Sequence, residues 1–248
     1  MSRLRRVLVT GGAGFIGSNI IAKLREEGGF EIAVCDRLRK AAEGKWRNLA
    51  QHSIDDFFTP DTLFDWLGAN GAALDVVIHM GAISSTMEED ADLIVQTNFA
   101  LSRDLYRWCA EYDTRLIYAS SAATYGDGDL GFHGRDDLAS LTALRPLNPY
   151  GWSKALFDVF TRRQAQAGAA PPQCAGLKFF NVYGPNEYHK GPMKSVAAKI
   201  WPLAREGRTV RLFKSHNKTY ADGGQLRDFV YVKDAADIVA WLVDHPDV

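Results

Sequence analysis

The stretch VLVTGGAGFIGSNI, residues 7–20, decides how the rest of the chain is read. A short β-branched run leads into Gly11, Gly14 and Gly17, and an amphipathic segment begins at once behind them. A tight turn, a backbone that approaches a pyrophosphate closely and a helix packed hard on a strand each require a missing side chain. The amino terminus of the following helix offers amide donors to an anion, which makes Phe15 and Ile16 part of the same cradle. Glycine spacing alone is weak evidence, because any tight turn between a strand and a helix favours glycine. Here strand and helix come in the right order, and Asp36 closes the next apolar run 19 residues beyond Gly17, where a carboxylate accepts bonds from an adenosine ribose.

Working outward, short β-branched runs alternate with longer amphipathic ones. RRVLVT precedes a helix over 15–27, EIAVCD precedes a polar loop, DVVIHM precedes a helix over 90–112, RLIYASS is followed by a helix over 150–166, and QCAGLKFF comes after that. The alternation predicts an α/β fold of Rossmann type, a doubly wound parallel sheet covered on both faces, over residues 1–180. Beyond Asn181 the rhythm loosens. A helix over 194–205, a strand near Val210 and a last helix over 234–244 predict a smaller substrate lobe at 181–248, incomplete in this chain, whose final helix returns to the larger domain.

At 248 residues, with 46% apolar and 24% charged side chains, the chain has ample material for a core. A net charge of −1, from 29 basic and 30 acidic residues, gives no general attraction to nucleic acid or to an anionic membrane. Cys35, Cys109 and Cys174 are widely spaced, lack metal-ligand spacing and read as core thiols of a reducing compartment. The start MSRLRRVLVT imitates a signal peptide, but Thr10, Gly11 and Gly12 cut its apolar run, and a cytoplasmic protein without a membrane span is expected.

In NPYGWSKALFD, residues 148–158, Tyr150 and Lys154 are four apart and project from one helix face. A phenol is a poor base at neutral pH, and a neighbouring ammonium favours the phenolate. Such a pair is common on helix surfaces, but YASSAATYG, residues 118–126, ends its strand at Ser120 and Ser121, on the sheet edge that carries the glycine turn. A hydroxyl there holds a substrate alcohol as its proton leaves.

These motifs, with Asn98, NVYGP at 181–185 and RDFVYVKD at 227–234, resemble the extended short-chain dehydrogenase/reductase family over nearly the whole chain. The resemblance implies hydride transfer between NADP or NAD and an alcohol carbon of a nucleotide-linked sugar, with Ser121, Tyr150 and Lys154 in the family's catalytic roles. It implies dinucleotide contacts at the glycine turn, Asp36, Asn98, Tyr150, Lys154 and the strand-end run Met80, Gly81, Ala82, Ile83 and Ser84. Asp36 favours an unmodified ribose, whereas Arg37 and Lys45, with Arg39 and Lys40 nearby, suit a 2′-phosphate, so the choice of dinucleotide stays open.

Within that family, HMGAISST at 79–86 and YGPNEYHKGPMKSVA at 183–197 are most similar to the branch that inverts C-6 of an ADP-linked heptose. The resemblance implies a tightly held NADP, an ADP-heptose substrate destined for lipopolysaccharide inner core, self-association, and Lys190 as a second acid/base beside Tyr150. The alternative is that Lys190 only meets a phosphate or water. Substrate contacts are implied at Asn181 and Val182, at Pro192 and Lys199, at Phe213, Lys214, Ser215 and His216, and at Arg227, which could instead pair with Asp228 or Asp234. Met80, Pro192 and Lys199 stand where this branch commonly has an acidic residue, a serine and a histidine, and the branch normally carries a further tail beyond DHPDV. Ala122, Ala123 and Thr124 argue against a 4,6-dehydratase, which wants an acidic pair there. A 4-epimerase would leave Lys190 without a task, and a non-catalytic dinucleotide sensor would have no reason to assemble Ser121, Tyr150 and Lys154.

Overall fold

In a computed structural model of the chain, residues 3–216 and 218–248 are described. Asn217, in the polar run 214–225, and the first two residues lie outside them. The elements follow in order: β1 (Arg5–Thr10), α1 (Phe15–Glu27), β2 (Phe30–Cys35), β3 (Asp56–Phe58), α2 (Leu63–Asn70), β4 (Val76–His79), α3 (Ala91–Ile94), then a π-helical turn (Val95–Ala100) running into α4 (Leu101–Glu111). The second half comprises β5 (Arg115–Ser121), α5 (Leu138–Ala143), α6 (Pro149–Gln166), β6 (Cys174–Phe179), β7 (Asn181–Tyr183), α7 (Val196–Arg205), β8 (Phe229–Tyr231) and α8 (Val232–Asp244).

Six strands form one parallel sheet in the order β3-β2-β1-β4-β5-β6. Strands buried on both faces need continuous apolar runs; Val7, Leu8 and Val9 in β1 and Val76, Val77 and Ile78 in β4 are all 0% exposed. One face packs α1 and α8 over β1 and β4, with Ile20, Ile21 and Leu24 meeting Ala236, Val239 and Val243. Lys23 on α1 reaches Asp237 on α8 at 3.0 Å across the same seam. The other face holds Leu67, Leu105, Tyr106, Cys109 and Phe157.

Register places Thr10 beside both Cys35 and His79, and Ser121 beside Phe179, so the strands end along one edge. The strand order reverses at β1 and β4, and a crevice opens there for a ligand. At the start of α6, Asn148 caps by accepting from Gly151 N at 2.8 Å and Pro149 occupies the first turn. That cap is worth about 1 kcal/mol, and it sets Tyr150 beside the end of β5.

Two local expectations are corrected. β3 and α2 fill the segment read as a polar loop after β2. No described strand contains Val210, because a lone β-branched run without a hydrogen-bonding neighbour does not make one. Instead the second, two-stranded sheet pairs β7 with β8, Asn181 against Phe229. No described helix is long and apolar enough to cross a membrane.

Candidate functional site

The glycine turn is built around one carbonyl. Gly11 has φ +67° and donates to Cys35 O at 2.8 Å. Gly14 N donates back to Gly11 O at 2.9 Å, and a Cβ on either Gly14 or Gly17 would press on that oxygen. A Cβ on Gly11 would lie 2.6 Å from Gly81 N, where the loop after β4 crosses. α1 starts at Gly14 with no side-chain cap and no acidic residue in its first turn, which leaves its amide end for an anion. A narrow glycine cradle beside an uncapped helix start fits a dinucleotide pyrophosphate.

Asp36 lies buried at the next strand end. Its Oδ2 accepts from Ala13 N at 2.9 Å, and its Oδ1 from Arg37 N at 2.6 Å and Lys45 Nζ at 2.5 Å. Lys45 is therefore tied to the Asp36 carboxylate. Arg37 has a side chain 58% exposed, and its surface pair with Asp61 at 2.7 Å is worth at most about 1 kcal/mol, so the guanidinium is easily redirected.

Behind the turn runs a buried polar chain. Gly81 N donates to Thr10 Oγ1 at 3.2 Å, and Thr10 Oγ1 meets His79 Nδ1 at 2.6 Å. His79 Nε2 meets Ser102 Oγ at 2.8 Å, and Ser102 donates to Asn98 O at 2.7 Å. The Ser102 proton is thus committed, so His79 carries its own proton on Nε2 and accepts from Thr10 at Nδ1. Asn98, fully buried in the π-helical turn, accepts from Ile83 N at 2.8 Å and donates to Ile83 O at 3.0 Å and Ser153 Oγ at 3.2 Å. Its amide holds the 80–84 loop in place. Burial, aided by the Lys154 charge, pushes the His79 imidazole from 6.5 down to about 3.

The stability consequence follows from the sign of that shift. A histidine that protonates less readily folded than unfolded contributes stability that is complete above about pH 6.5 and is lost as the pH falls towards 3. Between pH 7 and pH 4 the loss amounts to roughly 3 kcal/mol. Denaturant titrations at both pH values are expected to show it, and His79→Gln is expected to flatten the dependence.

At the end of β5 the buried Ser121 lies beside the half-buried Tyr150, and its Oγ accepts from Ala123 N at 3.1 Å. Burial raises the Tyr150 phenol and the neighbouring Ser121 hydroxyl opposes it. Lys154 Nζ donates to Ala119 O at 2.8 Å, and burial lowers its ammonium to about 8, against the pull of Asp158. The sequence-based expectation that a nearby ammonium governs the phenol is thereby modified: burial is the larger influence on Tyr150.

Lys190 stands on a separate loop with its own anchors. The buried Glu187 carboxylate accepts from Gly184 N at 3.1 Å, Ser195 N at 2.6 Å and Ser195 Oγ at 2.8 Å, closing the loop at its base. Asn48 Nδ2 reaches Ala13 O at 3.0 Å, Asn186 O at 3.1 Å and His189 Nδ1 at 3.2 Å. Asn19 Nδ2 donates to Pro185 O at 3.1 Å, and Asn186 Nδ2 to Ser18 Oγ at 3.0 Å. The loop is thus bolted to the glycine turn and the start of α1, and Lys190 Nζ sits 5.4 Å from the Phe15 ring centroid. Burial lowers the Lys190 ammonium, with Glu187 opposing, so it gives up a proton more readily than a free lysine. Asn48→Ala is expected to speed amide exchange across 184–195 by about tenfold, the factor set by one lost anchor of about 1.4 kcal/mol, as hydrogen-exchange mass spectrometry would read.

The sequence matches the NAD dependent epimerase/dehydratase family over residues 7–248. The chain belongs to that family. Among relatives of this epimerase chain, the ADP-L-glycero-D-manno-heptose-6-epimerase of Nitratidesulfovibrio vulgaris (strain DP4) is 48% identical, over 97% of this chain and 73% of the relative. The protein of the same name from Fusobacterium nucleatum is 46% identical, over 96% and 70%. Among solved structures, the Helicobacter pylori ADP-L-glycero-D-manno-heptose-6-epimerase superposes with a TM-score of 0.79 at 26% identity, over 98% of this chain and 74% of that one. A Thermus thermophilus UDP-glucose 4-epimerase in complex with NAD gives 0.70 at 30% identity, over 96% and 74%.

In this epimerase chain, the glycine turn, the Met80–Ser84 loop, Ser121, Tyr150 and Lys154 share one sheet edge. Val182 is half-buried in β7, and Asn181 spends its amide and its Nδ2 on Asp228 O, both at 3.1 Å. Pro192 and Lys199 are exposed, as are Phe213, Lys214 and His216 on the segment between α7 and β8, while Ser215 is half-buried with its amide donating to Asp222 at 2.7 Å. Arg227 donates to Leu226 O at 2.7 Å; among the described residues its guanidinium forms no ion pair with Asp228 or Asp234. Sequence reasoning missed the work of His79, Asn48 and Glu187. The first had a signal, a polar residue ending an otherwise apolar buried strand; the other two are loop residues whose partners lie far away in sequence.

Proposed function

We propose that the chain is the catalytic body of an ADP-L-glycero-D-manno-heptose 6-epimerase, acting on ADP-D-glycero-D-manno-heptose with a retained NADP and supplying heptose for the lipopolysaccharide inner core from the cytoplasm. The observation that carries the chemistry is the separation of two proton-handling groups, Tyr150 on α6 and Lys190 on a loop bolted to the dinucleotide turn. The glycine cradle, Asp36 and the start of α1 would hold the dinucleotide, with Arg37 and Lys45 beside a 2′-phosphate. A bound nicotinamide supplies reversible hydride acceptance at C-6. Inverting a secondary alcohol turns its oxygen to a new direction, and one fixed acid/base reaches only one of the two orientations. Tyr150, with Ser121 holding the alcohol, serves one epimer; Lys190 serves the other. Lys154 keeps a positive charge near the phenol, favouring proton uptake from the alcohol.

The domain reading is part of the same proposal: residues 1–180 with α8 form the dinucleotide unit, and β7, α7 and β8 belong to the substrate lobe. The test is a proton NMR time course of purified protein with ADP-D-glycero-D-manno-heptose and no added dinucleotide. Appearance of the 6-epimer supports the reading. Unchanged substrate, from protein that still releases a nicotinamide dinucleotide on denaturation, would move the substrate to another nucleotide sugar.

A further inference from the structure

Tyr150, Lys154 and Asp158 lie at successive four-residue steps, one stripe along α6. Asp158 is only 5% exposed, and nothing in the chemistry above uses it. Its Oδ2 accepts from Ser120 Oγ at 2.7 Å and from Lys178 Nζ at 2.7 Å, and its Oδ1 from Tyr118 OH at 3.1 Å. Lys178 continues to Thr124 Oγ1 at 2.9 Å, and Thr124 donates to Ser121 O at 2.8 Å. One carboxylate therefore joins α6 to β5, to β6 and to the turn behind Ser121.

A buried ion pair contributes little to stability compared with apolar packing of similar volume, because desolvation offsets its attraction. Its retention here needs another reason. The neighbours of Asp158 are the phenol of Tyr118, which burial pushes well up and keeps neutral, the Lys178 ammonium and the Cys174 thiol, which burial pushes up to about 12. Lys154, four residues from both Tyr150 and Asp158 on α6, is acted on by the Asp158 charge and lies near the neutral His79 of β4. Asp158 is thus the anion of this group, and it sits one turn from a buried cation that burial discourages.

We infer that Asp158 is a positioning residue, whose carboxylate locks α6 against the end of β5 and whose charge holds Lys154 in the ammonium form beside Tyr150. Lys178 moderates that charge from the other side. The inference rests on the assignment of Tyr150 and Lys154 given above, and its test is read without substrate, so its failure is separate from failure of the heptose reading.

The test is an NMR titration of the lysine side chains in the purified chain, with the Lys154 signal assigned by its absence in Lys154→Met. In wild type Lys154 is expected to titrate near 8. Asp158→Asn is expected to lower that value by roughly one unit, whereas Lys178→Met is expected to raise it, since it removes a cation and leaves Asp158 unneutralised. A purely structural ion pair would change melting temperature in both variants and leave the Lys154 titration where it was. Opposite shifts support the inference; an unmoved Lys154 in folded protein overturns it. Should Asp158→Asn fail to fold, the upward shift in Lys178→Met decides alone, and its absence is the contrary result.

Discussion

Replacing Lys190 with methionine is expected to leave the dinucleotide bound and to slow epimerisation by about 10²- to 10⁴-fold, the range that a positioned proton donor contributes. Methionine keeps most of the length of a side chain whose Nζ lies over Phe15, and the anchors of the loop at Glu187 and Asn48 do not involve that nitrogen, so the loop has no reason to open. What disappears is the proton. Tyr150→Phe is expected to be comparably slow, because each residue handles one orientation of the C-6 oxygen and a full inversion needs both. Turnover by quantitative NMR, with the dinucleotide content measured after denaturation, checks both variants. Wild-type turnover in Lys190→Met would confine Lys190 to a binding role.

Gly11→Val is expected to remove the dinucleotide altogether. The position combines φ +67° with a Cβ that would stand 2.6 Å from Gly81 N and 2.8 Å from Met80 C. Both neighbours are backbone in a loop that Thr10 and Asn98 hold from behind, so neither can swing aside. A β-branched side chain in the left-handed region costs about 1–2 kcal/mol, and overpacking adds about 1–3 kcal/mol. The variant should melt several degrees lower and carry no nucleotide in its denatured supernatant. A Gly11→Val protein that still releases a full complement would show that the cradle does not hold the pyrophosphate.

The contrast between these two sites also explains what could be seen from sequence. The glycine turn, Asp36, Ser121 and the Tyr150/Lys154 pair are local patterns on regular elements, and periodicity puts all of them on one edge before any coordinates exist. Strands β1, β4 and β5 were legible for the same reason, being apolar runs buried on both faces. β3, with three residues, and the β7/β8 pair, 48 residues apart in register, were not. Their hydrogen bonds are made with distant partners and leave no local period. Asn48 escaped notice for a related reason: a buried asparagine in a short helical turn is unremarkable until Ala13 and Asn186 are found around its amide. Asp158 follows Lys154 by four residues and could have been flagged, but its meaning depends on Lys178, Ser120 and Tyr118, which only the sheet brings together.

The central claim is that C-6 is inverted by removing and returning the same hydride while two side chains exchange the proton. It is tested most directly with ADP-D-glycero-D-manno-heptose carrying deuterium at C-6, incubated with the purified chain in ordinary water and followed by NMR and mass spectrometry. The account predicts that the 6-epimer forms with its deuterium fully retained and with no hydrogen from solvent at that carbon. Loss of the label to water would mean that the carbon itself is deprotonated and reprotonated, and would contradict the account.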